Sequence, residues 1–263
     1  MDMLKAVWAY RSFILSAIRN DFTTRFAQSK LGVLWMIIHP LMQVLIFAMI
    51  LSEVLSAKLP GITNKYGYAL YLMAGTLFWT LFAESISRSV NIFIENGNLM
   101  KKVAFPRICL PFIAAGSMLI NNLLLVVAIF IVFTCLGHNP SVTAAWLPVL
   151  MLLTLCLSMS LGLLLGVFNV FMRDIRQIVP VVLQAMFWLT PIVYSVEILP
   201  ADVRALFKLN PLFPLVSAYH DVLLYERAPD WASLVPLMIA TVVLAATSLL
   251  VFRRASQEMV DAL

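Results

Sequence analysis

Charge is scarce in this chain. Only 12% of its 263 residues are Asp, Glu, Lys or Arg, about half the share in a soluble domain. Against that, 62% are hydrophobic and the mean hydropathy is +0.97. A globule of this length cannot bury so much apolar side chain and keep a wettable surface. The shortage therefore excludes a soluble enzyme, a nucleic-acid reader and a disordered tail. Cysteine is also scarce: Cys109, Cys135 and Cys156 are odd in number and widely spaced. They build no disulfide framework and no metal pattern, and read as small hydrophobes. The three histidines, His39, His138 and His220, are scattered. The chain lacks a G-x-x-x-x-G-K-[ST] phosphate loop, an H-E-x-x-H and a G-x-S-x-G, so no ATP, metal or cofactor site of those types is expected within it. A signal-peptide pattern is likewise absent from residues 1–30.

Long apolar runs are what is present. About 20 apolar residues are needed to cross roughly 30 Å of hydrocarbon. Residues 33–52, 68–87, 112–136, 146–172 and 234–252 qualify, and 178–196 qualifies while carrying Pro180, Gln184 and Pro191. The expectation is an all-α membrane protein with six transmembrane helices, because lipid offers no partner to unpaired backbone groups. Thirteen of the eighteen Lys and Arg fall in the N-tail, the second and fourth connections and the C-tail. The positive-inside rule then puts both termini in the cytoplasm. The +5 net charge is a topology signal rather than a nucleic-acid hint.

Residues 1–30 form a separate element. Leu4, Val7, Trp8, Leu15, Ile18, Phe22 and Phe26 share one side of a helical wheel, with Arg11 interrupting the stripe. This predicts an amphipathic helix in the membrane interface, ahead of a six-helix transmembrane domain over 31–263. Residues 197–231 are too long and too apolar for a simple loop. Prolines 200, 211, 214 and 229 cut them into short pieces, which predicts re-entrant helices on the outer face.

Few ionisable groups lie at membrane depth. Glu53 and Glu84 sit near predicted span ends, and the interior polar groups are amides and hydroxyls such as Gln43, Asn121, Asn122, Asn169 and Gln184. Coupling to an ion gradient usually needs acids at mid-membrane, so that mode is disfavoured. Ser158, Gly162 and Gly166 are spaced by four, which lets two helices approach closely. The partner helix could belong to this chain or to a second copy. In 96–111, Asn98, Leu99, Lys101, Lys102, Phe105, Pro106 and Arg107 alternate basic or polar residues with large apolar ones. Such a segment can dock into a groove of a soluble partner or lie on anionic headgroups.

Several motifs occur in order. Asp21-Phe22-Thr23-Thr24-Arg25-Phe26-Ala27-Gln28-Ser29-Lys30-Leu31-Gly32-Val33-Leu34-Trp35 leads into Pro40-Leu41. Lys102-Val103-Ala104-Phe105-Pro106-Arg107 and Leu110-Pro111 follow, then Phe171-Met172-Arg173-Asp174-Ile175 and Asn210-Pro211-Leu212. Together they resemble the membrane subunit of ABC-2-type polysaccharide exporters, most of all the O-antigen branch. One departure is Phe26, where that family often has Tyr.

The resemblance implies a permease that moves a lipid-linked polysaccharide out of the cytoplasm as a homodimer. Two copies of a separate soluble ATPase would bind the ATP and Mg. It makes 96–111 the coupling segment and 197–231 the outer gate, with Asn210, Pro211, Phe213 and Pro214 at its core. The first and fifth spans would line the polymer path, through Trp35, Gln43, Phe47, Gln184, Phe187, Trp188 and Tyr194. A lipid pyrophosphate would want cations where it enters, and Arg25, Lys30 and Arg88 are the candidates. Two readings compete: an ABC-2 exporter of a drug or small lipid, and an intramembrane lipid-phosphate transferase. The second would need acids or histidines clustered at one face, and none are clustered here.

Overall fold

The computed structural model describes residues 3–26, 34–55, 66–102, 105–139, 141–196, 209–256 and 258–259, with Pro200, Asp202, Arg204 and Phe207 between them. All regular structure among the described residues is helical. In chain order it runs α1 (Met3–Ala9), α2 (Arg11–Phe26), α3 (Leu34–Leu55), α4 (Gly67–Glu95), α5 (Gly97–Lys102) and α6 (Cys109–Cys135). A 3-10 turn (Val142–Trp146) then leads into α7 (Leu147–Phe171), α8 (Ile175–Leu189), α9 (Phe213–Leu223) and α10 (Trp231–Ala255). Four of these are long and apolar enough by length and composition to cross a bilayer: α4, α6, α7 with its 3-10 lead-in, and α10. Ile37–Ile46 and Ile175–Leu189 are shorter apolar helical stretches.

Helix α4 is the post of the bundle. Nineteen of its residues are buried, and it packs most extensively against α7, then α6 and α3. The small residues of α7 explain the closest of these contacts. A Cβ on Gly162 would stand 2.6 Å from Ser89 Cβ, and one on Gly166 would stand 2.5 Å from the Ser89 carbonyl oxygen. Ser158 is fully buried and turns its hydroxyl back to Thr154 O at 2.8 Å. Gly162 and Gly166 thus serve a helix pair within this chain. Asn169 closes the seam by donating from Nδ2 to Val90 O at 2.8 Å.

The fifth predicted span is corrected. Its helix begins at Ile175, ends at Leu189 and is 15 residues long, about 22 Å of rise. Thr190 is extended and Pro191 follows, whose missing N–H and ring clash end the helix. Residues 192–195 continue without regular helical pairing.

Helices α4, α6, α7 and α10 place both described ends of the chain at one end of the bundle. There Phe93 stacks on Phe252 at 5.5 Å, Arg107 reaches Ser256, and Val7 packs against the cluster holding Met100, Phe252 and Met259. The predicted N-terminal helix is two helices, and its buried stripe is turned by roughly a quarter turn from the predicted one. Ile14 and Ile18 pack on Cys109, with Phe13 beside them, whereas Trp8 and Leu15 point away from the bundle. Tertiary packing against α6 chose Ile14, which the wheel had left out. Leu4, Phe22 and Phe26 have side chains outside the described residues.

Candidate functional site

Two regions bring chemistry-bearing side chains together, one at each end of the bundle. At the end away from the termini, the broken stretch after α8 leaves carbonyls without helical donors. Backbone at this depth needs internal partners, and side chains of other elements supply them. Tyr68 Oη donates to Val193 O at 2.8 Å. Tyr71 Oη lies 2.9 Å from Pro191 O and 3.0 Å from Tyr194 O. Asn210 Nδ2 donates to Leu189 O at 2.9 Å and Thr190 Oγ1 at 3.0 Å, while its Oδ1 accepts from Leu212 N at 2.9 Å. Asn210 therefore ties the end of α8 to the start of α9.

Helix α9 is wedged into the bundle rather than laid over it. Leu215, Val216 and Tyr219 are fully buried. Tyr219 packs on Phe78 at 5.6 Å and shares a hydrogen bond with Thr154 at 3.0 Å. His220 stacks on Tyr71 with ring centroids 3.8 Å apart. Gly75 makes room for this, since a Cβ there would come within 3.2 Å of His220 Nε2 and 3.0 Å of Ile192. Phe213 and Pro214 open α9, and Pro211 is exposed just before it. Beside them Asn210, Ser217, Asp221, Asp230 and Ser233 rim a cavity of about 710 Å³ between α9 and α10. Asp230 caps α10, and hydrogen bonds from the Ser233 hydroxyl and then the Ala232 N–H hold its carboxyl below the ordinary range.

The predicted path residues separate. Trp188 and Gln184 are exposed on α8, and Trp35 on α3. Gln43 is half-buried. Phe187 instead turns inward: it is 6% exposed and packs edge-on to Trp79 at 5.5 Å. Tyr194 is half-buried, and its hydroxyl donates to Trp188 O. The side chain of Phe47 lies outside the described residues, as do Lys30 and the side chain of Arg25. Arg88 is engaged: its guanidinium forms a forked ion pair with Asp21, with contacts of 3.0 to 3.1 Å. This pair fastens α2 to α4.

At the termini end, α5 exposes Asn98, Leu99 and Lys101 and buries Met100. The side chain of Lys102 is outside the described residues. Phe105 and Arg107, expected at the partner-facing surface, are half-buried, and each has a partner within the chain. Phe105 packs on Phe13 of α2 with centroids 5.5 Å apart. Arg107 Nη1 donates to Ser256 Oγ at 3.1 Å. The segment is thus clamped to both ends of the chain. Nothing in the local sequence around Tyr68, Tyr71 or His220 marks them for these contacts. Their roles depend on where α8 breaks, and only the Pro191 signal hinted at that.

Residues 13–224 match the ABC-2 type transporter family. The chain belongs to the ABC-2 type transporter membrane family. This ABC-2 chain is 26% identical over 256 residues to the O-antigen export system permease protein RfbA of Myxococcus xanthus, covering 96% of each. It is 27% identical over 214 residues to the RfbA permease of Klebsiella pneumoniae, covering 80% of this chain and 79% of that one. It is 23% identical over 248 residues to the polysialic acid transport protein KpsM of Escherichia coli, covering 91% and 92%. Like its family, the ABC-2 chain is a multi-pass membrane protein.

Proposed function

We propose that this chain is the permease subunit of an exporter that carries a lipid-linked polysaccharide, O-antigen in the first instance, across the bacterial inner membrane. The similarity to an O-antigen export permease along 96% of both chains carries this reading. Two copies pair, and two copies of a separate ATPase supply the phosphate loop that this sequence lacks. Both termini face the cytoplasm, and α3 and α8 complete six crossings with α4, α6, α7 and α10.

The geometry supports a division of labour. A polymer longer than the membrane is thick needs a continuous lumen rather than one midplane pocket. Helix α8 offers a long face with Gln184 and Trp188 exposed, and α3 offers Trp35. Amides bind sugar hydroxyls and aromatic faces meet sugar C–H faces, and beyond Arg176 in its first turn α8 carries no fixed charge to trap the chain. Asn98, Leu99 and Lys101 meet the ATPase, and Phe105 and Arg107 pass its movement to α2 and α10. Asn210 and α9 form the outer gate, coupled to the path helix through Leu189 and Thr190. Arg25 and Lys30 receive the lipid pyrophosphate, with Arg88 holding α2 in place through Asp21.

Deleting the gene and blotting surface glycan tests the reading. Long-chain glycan should vanish from the surface and return with the gene. Surface glycan that persists without any related exporter sinks it. Loss of drug or small-lipid efflux with intact glycan would favour the competing cargo.

A further inference from the structure

A groove runs along the outside of the bundle between α6 and α10, with α7 as its floor. Its volume is about 450 Å³. Pro111, Phe112, Ala115 and Leu119 form one wall, and Ala245 and Leu249 the other, over Leu152, Leu155, Cys156, Met159 and Leu163. Its two floor and wall hydroxyls make no demand on a ligand. Ser160 donates to Cys156 O at 2.6 Å, and Ser248 to Ala245 O at 3.0 Å. The groove is therefore a dry apolar slot. On α6 it extends from Ile108 to Leu119, about 16 Å of helix, which is close to half of a roughly 30 Å hydrocarbon core. Its α6 wall is about one leaflet deep.

The slot has a basic end. Ser256 follows Ser248 and Ala245 along the same side of α10, two to three turns on. Arg107 stands there, its Nη1 bonded to Ser256 Oγ at 3.1 Å. A guanidinium has five donors, and Ser256 is the one side-chain partner of Arg107 among the described residues. Arg253 lies one turn beyond Leu249 on the groove's flank and is exposed. An apolar slot one leaflet deep, ending at two arginines, matches an acyl chain below an anionic headgroup.

We propose that this groove is a binding site for one anionic phospholipid, with an acyl chain over Cys156 and Met159 and its phosphate between Arg107 and Arg253. The chemistry is independent of the cargo. Assigning the lipid to the inner leaflet rests on the topology proposed above. Because Arg107 also clamps the coupling segment to the end of α10, the lipid braces the part of the chain that meets the ATPase.

The full chain, purified in detergent, is incubated with phosphatidylglycerol or phosphatidylcholine of the same acyl chains and weighed by native mass spectrometry. One phosphatidylglycerol should be retained per chain in preference to phosphatidylcholine. Arg107→Gln and Arg253→Gln should each cut that preference about fivefold and leave phosphatidylcholine retention unchanged. Ala245→Phe with Ser160→Phe fills the slot and should abolish retention of both lipids. As a check that needs no disruptive change, Leu152→Trp should be quenched more strongly by brominated phosphatidylglycerol than by brominated phosphatidylcholine. Equal retention of the two lipids, arginine variants with undiminished preference, or filled variants that keep lipid would each overturn the proposal. So would efficient cross-linking of Cys156 between two copies, which would put a second chain in the slot. None of these readouts depends on whether surface glycan is exported, and an inverted topology would move the site to the other leaflet without changing them.

Discussion

Helices α4 and α8 are both apolar, yet the fold treats them in opposite ways. Nineteen residues of α4 are buried, and only Val179 and Phe187 of α8. Helix α4 is gripped along its length by α7 through contacts too close for a Cβ at Gly162 or Gly166. Helix α8 touches the bundle along one stripe and is held at its broken end by hydrogen bonds from Tyr68, Tyr71 and Asn210. The first is a fixed post. The second leaves a wide face uncovered by its own chain, and its latch is made of interactions weak enough to change partners. Hydrogen bonds between membrane helices contribute only about 0.6 kcal/mol on average and about 1.7 at most.

The largest effect should come from closing the seam. Gly166→Leu drives a side chain into the Ser89 carbonyl, and overpacking of this kind costs about 1–3 kcal/mol or more. Folded, inserted protein should fall sharply in a detergent thermal-stability assay. Val181→Ala on the exposed face of α8 should stay within about 0.5 kcal/mol of the parent. Similar losses in both would erase the contrast between α4 and α8.

Next come the two sides of the proposed coupling segment. Phe105→Ala should lower stability by about 0.5–1.5 kcal/mol through the lost Phe13 ring contact. Leu99→Asp should leave stability unchanged and abolish cargo-stimulated ATP hydrolysis in the assembled transporter. If Leu99→Asp couples normally, the exposed face of α5 is not the docking face. The purified chain alone should hydrolyse no ATP, and robust turnover without a second subunit would overturn the borrowed motor.

A smaller effect tests the latch. Tyr71→Phe removes the donor to Pro191 O and Tyr194 O and should cost about 1 kcal/mol. It should loosen the end of α8 in hydrogen exchange while α4 stays protected. Uniform loss of protection would mean that the two regions do not differ in rigidity.

The smallest effect concerns Asp230. Its carboxyl is held below the ordinary range, so its contribution to the α10 cap is present at neutral pH. That contribution disappears only as pH falls through the lowered value. Asp230→Ala should fray the start of α10 slightly at neutral pH and remove that part of the acid sensitivity. An unchanged acid profile would show that the cap contributes nothing.

Much of this was legible in the sequence because the bilayer enforces simple rules. Twenty apolar residues must be helical, so the positions of α4, α6, α7 and α10 followed to within a few residues. Only the far end of α4 ran longer, two turns past the predicted boundary. The punctuated 197–231 stretch pointed to short helical pieces, and Phe213–Leu223 is one. The candidate site was less legible. Phe105 and Arg107 have the same residue types whether they face a partner or their own chain, and Phe187 reads like Trp188 until packing assigns one inward and one outward. Arg88 looked like a free cation because Asp21 is 67 residues away.

By itself, then, the sequence determined that the chain lives in a membrane, where its longest spans lie and which family it joins. Those properties depend on local hydrophobicity and on ordered motifs. Only the tertiary structure decided which face of each helix is shared, where the fifth span breaks, and which arginines are spoken for. Those outcomes depend on contacts between residues far apart in the chain, and hydropathy is blind to them.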